Sequence, residues 1–145
     1  MSRWIFEITM TPKNLKIKKE DRSAALDYLK KATDNYEQML LAIGKDNFNA
    51  SATLALQCVI SSADAVCVFE KGVRSISPNH LDVCDLVGSL PIKEAKEKST
   101  LLRKIIAKKN LIQYERRNFY QKEALEVVKI ATRFYQWVNE QISLV

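Results

Sequence analysis

Several kinds of site are excluded by what this chain has little of. Among its 145 residues are three Gly and three Pro, so no Gly-rich loop is available to cradle a phosphate and no Pro-rich tract can form an extended linker. His80 is the one histidine. Without a Cys or carboxylate cluster at ligand spacing it supplies too few ligands for a metal, and neither metal nor cofactor is expected. The three cysteines, Cys58, Cys67 and Cys84, cannot all pair. Cys58 and Cys67 are nine apart, which places them on opposite sides of a helix. All three read as reduced core residues of a cytoplasmic protein. No nucleophile elbow or other catalytic signature is present. No unbroken run of 18 apolar residues occurs, so no membrane span is expected. Arg3 and Glu7 bracket an apolar run of only three, which does not read as a signal peptide.

What is present is helical periodicity. A hydrophobic content of 47% over 145 residues suits one domain with one core. Five helical segments are predicted, over residues 20–43, 50–71, a short one from Ser77-Pro78 to Gly88, 91–115 and 121–142. The first carries the stripe Ala25, Leu29, Ala32, Tyr36, Met39 and Ile43. The second is apolar on most sides, as a central helix would be. Short loops imply antiparallel neighbours, and the predicted fold is all-α: an up-and-down bundle of four to five helices spanning residues 18–145. Residues 4–10 alternate apolar and polar with strand periodicity. They predict a short extended N-terminal arm over residues 1–17, or a strand that pairs with a second copy of the chain.

Charge is concentrated. Residues 93–117 hold nine basic side chains (Lys93, Lys96, Lys98, Arg103, Lys104, Lys108, Lys109, Arg116, Arg117) against Glu94, Glu97 and Glu115. That surplus of six equals the net charge of the whole chain, and the remainder balances at 14 against 14. Such a face suits a phosphate-bearing or acidic partner, the alternative being a solvated helix face.

Three stretches carry a family resemblance: Ser62-Ala63-Asp64-Ala65-Val66; Gly72-Val73-Arg74-Ser75 with Asn79-His80; and Lys109-Asn110-Leu111-Ile112-Gln113-Tyr114-Glu115, leading through Phe119 and Glu123-Ala124 to Arg133-Phe134-Tyr135-Gln136-Trp137-Val138. In order and spacing, from about Ala52 to Val138, the chain resembles the HEPN family (higher eukaryotes and prokaryotes nucleotide-binding domain), closest to one small branch of it. The resemblance implies a small helical bundle that forms a homodimer. In the family's ribonucleases the third stretch reads Arg-Asn-x-x-x-His, the Arg holding the phosphate and the His doing the acid/base work. Here Lys109 stands for the Arg, Asn110 matches, and Tyr114 stands for the His. Tyr120 replaces a Thr that tends to cap the last helix, and Asn118 is expected to cap in its place.

On the fourth segment Ala95, Leu102 and Ile106 form the apolar stripe, and Lys109 and Gln113 continue it. An ammonium on that line needs a partner, a wet groove or an early helix end. On the second, Thr53, Gln57, Ser61, Asp64 and Lys71 form a narrow polar seam. It reads as a solvated edge, or Asp64 pairs with Lys109 or Arg74 inside the bundle. A phenol with pKa near 10 makes Tyr114 a poor proton shuttle, though it can stack on a base.

The expected function is a binding module rather than an enzyme. It would recognise RNA or a nucleotide through Lys104, Lys108, Lys109, Asn110, Tyr114, Arg116, Asp64 and Arg74, or serve as helical partner of a minimal nucleotidyltransferase, in a toxin–antitoxin-like context. One alternative is a degenerate metal-independent ribonuclease using Lys109, Asn110, and His80 or Tyr114. The other is a structural oligomer.

Overall fold

A computed structural model of the chain describes residues 16–143. The alternating residues 4–10, and with them most of the expected arm, lie outside the described residues. Strand β1 (Ile17–Lys19) is followed by a 3-10 turn (Arg22–Ala24), helices α1 (Ala25–Gly44) and α2 (Phe48–Lys71), and strand β2 (Val73–Ser75). Four further helices complete the described chain: α3 (Leu81–Gly88), α4 (Ala95–Ile106), α5 (Lys109–Gln113) and α6 (Gln121–Ser143). The architecture is the helical bundle that the periodicity predicts, with one small sheet added to it.

α2 is the central element. α1 packs along it, α6 packs against it from another side, and α4 joins α3 to α6. Leu56, Val59 and Val66 of α2 are fully buried, as are Met39 of α1, Leu102 and Ile105 of α4, and Val127, Phe134 and Val138 of α6. Burial of each such side chain stabilises by roughly 1.5–3 kcal/mol. Tyr36 stacks on Tyr135 with ring centroids 4.4 Å apart. The Tyr135 hydroxyl lies 2.7 Å from the Thr33 hydroxyl, so α6 is fastened to α1 as well as to α2. Cys58, Cys67 and Cys84 are free and buried. By length and mean hydropathy, 1.7, α2 is apolar enough to cross a membrane. Its most apolar window is 61% buried within the bundle, as in a central core helix.

Four boundaries depart from expectation, each for a local reason. The first helix starts at Ala25 because residues before it are committed to β1 and to the 3-10 turn. Asp21 caps that turn, accepting the Ser23 N–H at 2.9 Å. α3 starts at Leu81 rather than at Pro78, because the Ser77 hydroxyl donates to Asp82 (2.6 Å) and Asn79 Oδ1 accepts the Leu81 N–H (3.0 Å). These bonds fold residues 77–80 into a turn.

The fourth predicted helix is two. Glu94 sits in the left-handed region (φ 71°) and delays the start to Ala95. α4 ends at Ile106, where the Lys108 N–H tightens onto the Ile105 carbonyl at 2.9 Å. Continuing straight would carry Lys109 and Gln113 into the core. The break instead leaves Lys109 half-buried and Gln113 exposed, and sets Leu111 and Ile112 against the core. Finally, Asn118 does not cap α6. Its Oδ1 accepts from Asn49 at 3.0 Å, while Glu123 reaches back to the Tyr120 N–H at 2.9 Å.

Candidate functional site: a polar cleft beside a basic face

Gly72 makes the cleft possible. It ends α2 in the left-handed conformation (φ 66°), where a side chain is disfavoured. A Cβ there would stand 3.3 Å from the Glu20 carbonyl oxygen. The reversal lets β2 run antiparallel to β1, with Lys18 opposite Arg74, and the Glu20 N–H bonds the Gly72 carbonyl at 2.8 Å. Glu20 is thereby held beside Arg74, whose Nε donates to Glu20 Oε1 at 3.2 Å. The Tyr28 hydroxyl lies 2.9 and 2.8 Å from the two Glu20 oxygens. Arg74's guanidinium sits over the Tyr28 ring, 5.7 Å from its centroid.

Between α2, β2 and the start of α3 lies a cleft of about 310 Å³. Asp64, Arg74 and His80 line it together with the apolar Ile60, Ile76 and Val83. Asp64 is half-buried and accepts no hydrogen bond from any described residue, because Arg74 is turned to Glu20. Burial is the main cause that raises the Asp64 carboxyl to about 6, with Arg74 pulling it back and Glu20 pushing it further up. His80 is half-buried; burial first, and the nearby Lys109 ammonium second, hold its imidazole below the ordinary value and favour the neutral form. Burial and the bond to Glu20 raise the Tyr28 phenol to about 12, so it stays a donor. Among the described residues no group of three His, Cys, Asp or Glu side chains could share a metal ion.

The candidate residues divide into two sets. Asp64, Arg74 and His80 meet in the cleft, and Lys109, outside its lining, is near enough to act on the charge of His80. Asp64 forms no ion pair within 4.0 Å with either Lys109 or Arg74, the partners expected for it; it shares the cleft with Arg74 alone. The rest of the polar seam behaves as a solvated edge, with Thr53, Gln57 and Lys71 exposed. Asn110 is exposed and Tyr114 is 73% exposed at the end of α5, away from the cleft lining.

Lys104 and Arg116 are exposed and Lys108 half-buried, and none of them forms an ion pair within 4.0 Å among the described residues, although Lys108 is near enough to Glu123 to help hold its carboxyl down. Two of the nine basic residues are neutralised from outside their own stretch. Arg103 pairs with Asp85 at 3.0 Å, and Arg117 grips Glu123 at 2.8 and 2.7 Å. Sequence reasoning missed Glu20 and Tyr28. A three-residue strand has too short a period to announce the pairing that brings them in.

These features define a helical domain with a small cleft in which Asp64, Arg74 and His80 meet between apolar walls. A model of the HEPN domain matches residues 25–141, and the chain belongs to that family. Comparison with curated proteins and with solved structures finds no significant match.

Proposed function

We propose that this HEPN-domain protein binds single-stranded RNA without cutting it, working as a homodimer. The observation that carries the reading is the basic face of α4, α5 and the loop after them. With Arg103 and Arg117 paired, Lys104, Lys108 and Arg116 are in no close ion pair among the described residues and can meet phosphates. Phosphate contacts of this kind need no fixed geometry and give affinity without sequence preference. The absence of cutting is supported by placement. Asn110 and Tyr114 are exposed and do not line the cleft that holds the imidazole, and an exposed phenol moves protons poorly at neutral pH. A homodimer is supported by Leu26, Leu40 and Leu41, exposed within a roughly 100° arc of α1.

Fluorescence anisotropy with a labelled single-stranded oligonucleotide at 50 mM salt tests the binding, and a denaturing gel of the same sample tests the cutting. Saturable binding with intact RNA is expected. Cleavage by the native chain that Lys109→Ala abolishes would contradict the reading.

A further inference from the structure

We infer that the cleft between α2, β2 and α3 reads one guanine base of the bound RNA, with Asp64 accepting the base's two adjacent N–H groups. The inference rests on the proposed RNA binding and adds to it the residue that would set base preference.

The cleft's size and walls point to a single planar group. About 310 Å³ lies at the small end of ligand pockets, enough for one unstacked nucleoside. Ile60, Ile76 and Val83 supply apolar walls against which a ring can lie. The polar complement is specific. Asp64 presents two oxygens with no donor on either among the described residues, and an ionised carboxylate is acceptor-only. Guanine offers the matching pair of parallel donors, its ring N1–H and exocyclic amino group. Adenine and cytosine present one amino group beside a ring acceptor. Uracil flanks its single N–H with two carbonyls that a carboxylate repels. Cations sit where the nucleotide's phosphate would leave the cleft. Arg74 commits its Nε to Glu20 and leaves both Nη groups without a partner among the described residues, and Lys109 is near enough to act on the charge of His80. Lys109 also begins α5, the short helix that follows Lys104 and Lys108 and precedes Arg116 in the basic stretch.

Asp64 is faced by groups from every side. Arg74 and His80 stand across the cleft on β2 and at the start of α3, while Glu20, and Tyr28 and Lys31 of α1, act on its charge or on its neighbours. Ionising Asp64 strengthens base reading as pH rises, whereas a plain anion site built on Arg74 and His80 would weaken as His80 loses its proton.

The test uses the full chain, decauridine RNA, and the same RNA with one central guanine. A bidentate base contact predicts about tenfold tighter binding of the guanine-bearing strand at pH 7, and a smaller preference at pH 5. Asp64→Asn should bind both strands equally, at the affinity native protein shows for decauridine, with an unchanged circular-dichroism spectrum. Lys104→Gln, Lys108→Gln and Arg116→Gln together should weaken both strands and leave their ratio alone. Equal affinity of native protein for the two strands, or a preference that survives Asp64→Asn, overturns the inference. If neither strand binds, the RNA-binding reading fails by itself. Guanosine 5′-monophosphate competed against uridine 5′-monophosphate then decides, and no preference between them overturns the base reading too.

Discussion

Asp64 carries a charge in surroundings that disfavour it, with its carboxyl at about 6 in the folded chain against an ordinary 3.8. The folded state therefore holds that proton more tightly than the unfolded state does. The resulting stability is fully present below 3.8 and is lost as pH rises through about 6. Discounted for partial exposure, the charge costs about 1–2 kcal/mol at neutral pH. Urea unfolding at pH 7 should accordingly show Asp64→Asn more stable than native by that amount, with the gap closing toward pH 4. A destabilised Asp64→Asn would mean that the carboxylate has protein donors and is not held for a ligand. Asp64, Arg74 and His80 are legible in the sequence because they stand on stretches with recognisable neighbours. Glu20 is not, since it meets Arg74 across 54 residues through two strands of three residues each.

The helices themselves are legible wherever an apolar stripe runs unbroken, and α2 and α6 fall within two residues of their predicted spans. Legibility fails where side chains bond to the backbone of a turn, as at Ser77 and Asn79, or where the stripe meets a charge, as at Lys109. That second failure matters for the site. A straight helix from 91 to 115 would align the motif residues with the core, whereas the break at 107–108 leaves Lys109 half-buried and Tyr114 exposed. The Gly72 reversal is the other element on which the cleft depends. Gly72→Ala must adopt φ near 66° with its Cβ against the Glu20 carbonyl. A loss of about 1–2 kcal/mol in urea unfolding is expected. Because Glu20 is held by that same turn, the pH dependence attributed to Asp64 should shift in this variant. Native-like stability in Gly72→Ala would show that β1 and β2 are not fixed as described.

At the scale of the molecule, the leucine stripe of α1 and the basic face of α4 and α5 are left exposed among the described residues. The first predicts that light scattering at micromolar concentration returns twice the monomer mass of 16.6 kDa. Leu26→Lys with Leu41→Lys should restore the monomer. A native mass of one chain at every concentration would remove the dimer. The second surface was visible in the charge count, but not which charges stay free, because Asp85 and Glu123 come from other elements. The central claim is that those free charges meet phosphates. It is tested most directly by the slope of log affinity against log salt for single-stranded RNA. Each phosphate neutralised contributes about −0.7, so three or four contacts predict a loss of roughly twentyfold to fiftyfold between 50 and 200 mM salt. The account predicts that Lys104→Gln, Lys108→Gln and Arg116→Gln together flatten that slope and leave the helical circular-dichroism signal in place. No binding at 50 mM salt, or a slope the triple substitution does not change, would contradict it.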